Sequence, residues 1–316
     1  MVVTDRPEIS LYLRTFSDQP NQDWNAALQA ARAMDAAGVD RVVVSDHVVF
    51  GENLGAYSDP AVGGTPGGKQ PTGPDGDWLE PLIFLTAVAA TTSRIRLGTG
   101  VLLAALRRPA VLAKQVATID VLSGGRVDLG VGIGWQREEY EAAGLPFRRR
   151  GRLLDHTLEV CQALWTQQRA SYSAPELAFD GIHQMPKPVQ PGGVPIWVSG
   201  TVNPAVARRL NRFGQRWIPW GPAITDLKGA IPAMQQAIAD VGGDPSELRV
   251  QASAALVKGA DRSIDVRATV AAVPQILADG GPTIHDIRFS GTLPSDPDRA
   301  AEVLAELVSA FRAVTG

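Results

Sequence analysis

Residues 95–151 read IRLGTGVLLAALRRPAVLAKQVATIDVLSGGRVDLGVGIGWQREEYEAAGLPFRRRG, and the alternation within this stretch decides the fold. Residues 95–101 form a short apolar run that predicts a strand. Arg107-Arg108-Pro109 follows, and Pro109 suits the first position of a helix, where an N–H would have no partner anyway. Val111, Leu112, Gln115, Val116, Ile119 and Leu122 then recur at helical spacing, so that one side of the helix is expected to be apolar. Ser123-Gly124-Gly125 predicts the stop, glycine supplying a left-handed turn. A second strand, residues 127–133, begins at once. Strand, helix and strand joined this tightly predict two parallel strands in a βαβ unit.

The second strand is unusual. Gly130, Gly132 and Gly134 alternate with Leu129, Val131, Ile133 and Trp135. Side chains alternate faces along a strand, so one face is bare backbone and the other bulky. Glycine weakens a strand, and three on one face imply a close approach. Tight barrel packing is one reading; a flat floor for a planar ring is the other.

Outward from this stretch the alternation continues. Residues 8–13 predict a strand. Asp23 or Asn21 can cap a helix carrying Trp24, Leu28, Ala31 and Met34, which Gly38 ends. RVVVS at 41–45 is β-branched, the mark of a strand buried on both faces. Residues 48–77, dense in Gly and Pro, are too long for a passive connection and read as a substrate lid, with a disordered insertion as the alternative. Helices are predicted over 78–93 and 150–167. Residues 168–193 have no helical period and read as an excursion with a possible hairpin and an exposed His183. The second half predicts strands at 195–199, 216–220, 248–256 and 284–290. Helices follow them, from Pro204 behind an Asn203 cap and over 226–241, 264–278 and 296–314. Strands and helices alternating in this way predict an α/β fold, a single (β/α)8 TIM-barrel domain over 1–316. Its insertions follow strand 2 and helix 4. An open doubly wound sheet is the alternative. The glycines do not support it, being spaced G-x-G-x-G and lying in the fourth strand.

A formal net charge of −3 and a pI near 5.8 leave no electrostatic footprint for nucleic acid. The N-terminus lacks the apolar run of a signal peptide, and no stretch is apolar enough to span a bilayer, so a cytoplasmic protein is expected. The single cysteine, Cys161, rules out an intrachain disulfide and reads as an inert core thiol. The four histidines show no metal-ligand spacing, and no serine–histidine–acid order appears. No metal is expected, and the chemistry is expected to be borne by a cofactor.

Barrel enzymes place their sites at the C-terminal ends of the strands. The residues there are Asp46 and His47, then Thr99, Gly100 and Val101, then Gly134 and Trp135, then Ser199, Gly200 and Thr201, then Trp220 and Gly221. His47 is the best candidate for proton exchange near neutral pH, a structural histidine being the alternative. The turn at 199–201, with a helix starting beyond it, suits an anion; ordinary helix capping explains it equally well.

LGTGV, RRPAVLAKQVATIDVLSGGRVDLGVGIGW, EEYEAAG and the Arg-Gly pair at 150–151 resemble the signature of the bacterial luciferase-like flavin and deazaflavin oxidoreductases. The likeness is nearest to the branch that uses coenzyme F420 and runs from Ile9 to about Ala313. It implies hydride transfer between the deazaflavin and a small organic substrate. An FMN-dependent monooxygenase and a non-catalytic cofactor-binding barrel are the alternatives. The resemblance further implies that His47 abuts the cofactor ring, with Asp46 as the adjacent contact. Gly100-Val101 would form a bulge, cis at that peptide, behind the ring. Ser199, Gly200 and Thr201, with Trp220 and Gly221, would receive the phosphate. A homodimer is also implied. Where the family's sugar-phosphate dehydrogenases carry an acidic residue, this chain carries Trp135, which puts sugar-phosphate oxidation in doubt and suggests an aromatic-walled pocket. Glu139 matches a family acidic position and reads as structural.

Overall fold

The computed structural model describes residues 6–19 and 22–316. Asn21, one of the two candidate caps, lies outside them; Asp23 caps the first helix, Trp24–Ala37. Eight parallel strands close into a barrel: β1 (Glu8–Tyr12), β2 (Arg41–Val44), β3 (Arg96–Thr99), β4 (Val127–Val131), β5 (Ile196–Gly200), β6 (Arg216–Pro219), β7 (Arg249–Ala255) and β8 (Ile284–Ser290). Each pairs with its neighbours in the chain, and β8 returns to β1. This is the TIM barrel that the alternation predicts. Among the described residues no helix is long and apolar enough to cross a membrane.

Local chemistry sets most boundaries where the sequence places them. The helix after β3 runs Pro109–Ser123, with proline in its first turn and Gly124 left-handed behind it. Leu112, Val116 and Ile119 are buried against the barrel, but Val111 and Leu122 are exposed, so the apolar stripe is narrower than the spacing implies. Cys161 is fully buried, and burial pushes its thiol well above the usual range, as an inert core thiol requires. The excursion holds a hairpin, Ala170–Ala174 with Leu177–Ile182, and His183 beyond it is exposed.

Two helices differ from expectation. The one predicted over 78–93 spans only Pro81–Thr91, because Glu80 caps it by accepting from Ile83 N. Trp78 instead stacks on Phe16 at 4.3 Å, in a two-residue antiparallel pair with Phe16–Ser17. The helix predicted over 264–278 is two, Val266–Val270 and Val273–Gly280. Pro274 lacks an N–H to continue the first and lies in the opening turn of the second.

The barrel interior is charged at its N-terminal end. Arg41 of β2 pairs with Asp128 of β4 (2.8 Å), Asp286 of β8 (3.0 Å) and Glu8 of β1, and Arg96 adds a second contact to Asp128 (2.6 Å). Burial alone would raise the Asp128 carboxyl, but the two arginines outweigh it and hold it at about 2. At Asp286 burial prevails and the carboxyl is pushed up to about 6. One cation therefore ties four strands together. Removing one partner of a buried charge group leaves the others unpaired, at a cost of about 3–5 kcal/mol. Arg41→Met is expected to lower the thermal midpoint markedly in a calorimetric scan. An unchanged midpoint would show that this layer does not hold the barrel closed.

Candidate active site

At the opposite end the strands open into a cavity of about 540 Å³, within the range of small-ligand sites. Its floor depends on the glycines of β4. A Cβ on Gly130 would lie 1.9 Å from the Thr99 carbonyl oxygen, and one on Gly132 would lie 2.6 Å from a Val101 methyl. Thr99 Oγ1 and Leu102 N both donate to Gly130 O (2.7 Å each), and Gly132 N donates to Leu102 O (3.2 Å). The bare face of β4 thus receives the exit of β3. The flat-floor reading is corrected for Gly130, which packs against its neighbour strand and does not line the cavity; Gly132 and Gly134 do line it. Gly100 and Val101 themselves stand at the cavity, and the peptide between them is cis.

His47 leaves the end of β2 into an aromatic wall. Its ring lies 4.6 Å from Phe50, 4.7 Å edge-on to Trp78 and 5.8 Å from Trp135. Behind it is Glu139, fully buried, with Oε2 3.2 Å from His47 Nδ1 but misaligned for a hydrogen bond. The other oxygen, Oε1, accepts from Val48 N at 2.8 Å. Glu139 lies on the short helix Arg137–Ala142, and Gln136 just before it accepts from Gly51 N at 3.2 Å. That helix therefore fixes the start of the 48–77 loop and places a carboxylate behind the imidazole.

Asp46 is also at the cavity, but its carboxylate is spoken for. It accepts from Leu103 N at 2.9 Å and from Arg107 at 2.6 and 3.1 Å; Arg107 also donates to Glu80 at 2.7 Å. This pair anchors β3's exit. Thr99, also expected at the site, belongs to the barrel wall: it is buried, bonded to Gly130, and does not border the cavity.

The loop closes over the mouth. It forms short 3₁₀ turns at Leu54–Ser58 and Pro60–Val62. Trp220 Nε1 donates to Gly63 O at 2.9 Å, and Arg150 Nη2 donates to Val62 O at 3.1 Å. The Tyr57 ring lies 5.4 Å from Trp135 and 6.3 Å from Trp220. Ser199, Gly200 and Thr201 border the cavity beside the helix Pro204–Phe213. Asn203 caps that helix, its Oδ1 accepting from Ala205 N and Val206 N at 3.0 Å each. Those two donors are thus not free for an anion. The turn at Trp220-Gly221 meets this one, since a Cβ on Gly221 would lie 3.2 Å from a Thr201 methyl.

The sequence reading did not identify Tyr12, Tyr57, Arg150 or Arg288 as lining residues. For Arg288 a signal exists: in the strand IHDIRFS, Asp286 and Arg288 fall two apart, on the face that points into the barrel.

The family model described as luciferase-like monooxygenase matches residues 9–279. An uncharacterised protein of Mycobacterium tuberculosis is 39% identical over 166 residues, covering 52% of this chain and 58% of its own. The coenzyme F420-dependent glucose-6-phosphate dehydrogenase of Segniliparus rotundus is 33% identical over 224 residues, 67% of this chain and 58% of its own. The chain thus spans less than two thirds of the length of these relatives. The crystal structure of a monooxygenase from Streptomyces bottropensis has the same fold, with a TM-score of 0.75 at 19% identity, over 98% of this chain and all of that one.

A single hydrogen bond latches Trp220 to the 48–77 loop, worth about 0.5–1.5 kcal/mol. Trp220→Phe keeps an aromatic ring beside Tyr57 but removes the donor. Amide exchange across residues 54–64 is expected to quicken by several-fold to about tenfold, with the barrel strands unchanged. Unaltered exchange in the loop would show that the latch does not hold it.

Proposed function

Because the chain belongs to the luciferase-like monooxygenase family, we propose that it is an oxidoreductase that uses coenzyme F420 to move a hydride to or from a small organic substrate. The observation that carries this reading is the cavity itself: one imidazole, backed by a buried carboxylate, faces an aromatic-walled space floored by Gly100 and Val101. The chain's likeness to the F420-dependent dehydrogenase supports the deazaflavin over FMN.

The residues fit such a group. Volume and aromatic walls suit a planar ring, and two donors at the cavity, Trp135 Nε1 and Arg150 Nε, have no partner. Gly100 and Val101 would support the ring. Ser199, Gly200, Thr201 and Gly221 would hold the phosphate, with Arg150 alongside. When bound, the deazaflavin supplies a carbon that accepts or gives up a hydride. His47 exchanges the accompanying proton with the substrate oxygen. Glu139, 3.2 Å behind Nδ1, stands where it can orient the imidazole. Trp78 and Trp135 keep water from the reacting atoms, Phe50 packs against the His47 ring, and the loop completes that wall. Trp135 leaves no carboxylate at that position for the sugar-phosphate mechanism, which argues against a sugar phosphate as substrate.

Titration of the apoprotein with the oxidised deazaflavin, followed by cofactor fluorescence, is expected to saturate with a Kd of about 1 μM or tighter, roughly −8 kcal/mol. FMN should bind more weakly. Preferential FMN binding with NADH-dependent oxygen uptake would move the assignment to an FMN-dependent monooxygenase.

His47→Asn keeps polarity but cannot exchange a proton near neutrality. It is expected to slow hydride transfer in single-turnover assays by about 10²–10⁴-fold while deazaflavin affinity changes little. Full turnover in this variant would exclude His47 as the proton-exchanging group.

A further inference from the structure

Three arginines border the cavity. Arg209 is neutralised by Asp155 at 2.6 Å. Arg150 lies on the Phe147 ring at 4.0 Å and donates to the carbonyls of Phe147 and Val62. Arg288 is placed differently. It rises from β8 at the floor, its Nη1 3.0 Å from where a Cβ on Gly100 would stand.

The partners of Arg288 are all neutral. Nη1 donates to Gln251 Oε1 at 3.3 Å and Nη2 to Ser253 Oγ at 3.1 Å, while Nε is buried without an acceptor. Among the described residues no carboxylate lies within ion-pairing distance of it. Asp286, two residues before it, is occupied by Ser10, Gln251 and Arg41. Asp46, the acid at the cavity, is held by Arg107. Tyr12 and Tyr57 cannot supply the charge as phenolates: burial pushes the Tyr12 hydroxyl up to about 12 and raises that of Tyr57. A buried guanidinium with no ion-pair partner is costly, and its fork matches a carboxylate or similar oxyanion.

We propose that Arg288 is the anion subsite of this cavity, holding a carboxylate or comparable oxyanion against Gly100 while the aromatic wall takes the apolar body of the same ligand. This deepens the functional reading of the cavity and rests on it only in taking the cavity as the active site. The oxyanion belongs either to the substrate or to the cofactor ring, whose carbonyl oxygens can carry negative charge.

Benzoate and its neutral isostere benzamide test the subsite in the cofactor-free protein, with the fluorescence of the lining tryptophans as readout. A charge-assisted hydrogen bond is worth about 1.5–3 kcal/mol, so benzoate is expected to bind at least about tenfold more tightly than benzamide. Arg288→Gln should abolish that preference and Arg288→Lys should keep part of it. Equal affinities in the wild type, or a preference that survives in Arg288→Gln, would overturn the proposal. If Arg288→Gln does not fold, the wild-type ratio and the Lys variant decide. Repeating the titration with saturating deazaflavin separates the sources: a retained preference assigns the anion to the substrate, and competitive loss assigns it to the ring. Failure to bind deazaflavin would remove the proposed function and leave the benzoate result standing.

Discussion

The geometry of the active end rests on one steric fact: the Thr99 carbonyl occupies the place where a side chain on Gly130 would begin. Because β4 offers no Cβ there, β3 can lean across it, and its continuation through Gly100 and Val101 emerges inside the cavity. Asp46 then fixes that continuation through Leu103 N and Arg107. The residue after Asp46 is His47, so floor and imidazole are set by the same short span of contacts. No polar interaction at the mouth could compensate for a methyl group at Gly130, since the obstruction is backbone, not a side chain able to turn away.

The barrel is ionic at one end and largely aromatic at the other. Arg41, Asp128 and Asp286 are buried there and paired, with the partly exposed Glu8 and Arg96 at the edge of the group. Gln251 spans the two regions, donating to Asp286 and accepting from Arg288. The positive charge facing the cavity is therefore held in place from beneath, by an amide whose other end is fixed in the ion layer. Such support limits the reorganisation of a site when a ligand arrives.

Much of this was legible in the sequence. Pro109 and Gly124 bound a helix because the fixed φ of one and the left-handed φ of the other act locally, whatever the fold around them. The strand-end residues from His47 to Gly221 converge because strand alternation and barrel closure leave them no other end to occupy. What the sequence hid was contact between distant segments. Trp78 looks helical by spacing, yet its stacking on Phe16 draws it out of the helix. Thr99 sits at the right place in the chain but turns its hydroxyl to Gly130. Asp46 reads as a ligand contact until Arg107, a long way along the chain, is found on it. Tertiary pairing of this kind leaves no local periodicity to read.

The 48–77 loop is tied down through carbonyl oxygens of its own main chain, those of Val62 and Gly63, by the side chains of Arg150 and Trp220. Every residue type presents the same carbonyl, so the closure is nearly indifferent to the letters in the loop. Gly63 and Gly64 are exceptions: Gly63 has a φ of 99° and a Cβ there would lie 3.3 Å from Gly134 O, while a Cβ on Gly64 would lie 2.4 Å from Tyr57 O, so neither leaves room for another residue. The side chains around them are free to drift. A lineage of such proteins could exchange the surface that this loop turns to the cavity while keeping the means of holding it there, and diversification would be expected to concentrate in residues 54–62 rather than in Arg150 or Trp220.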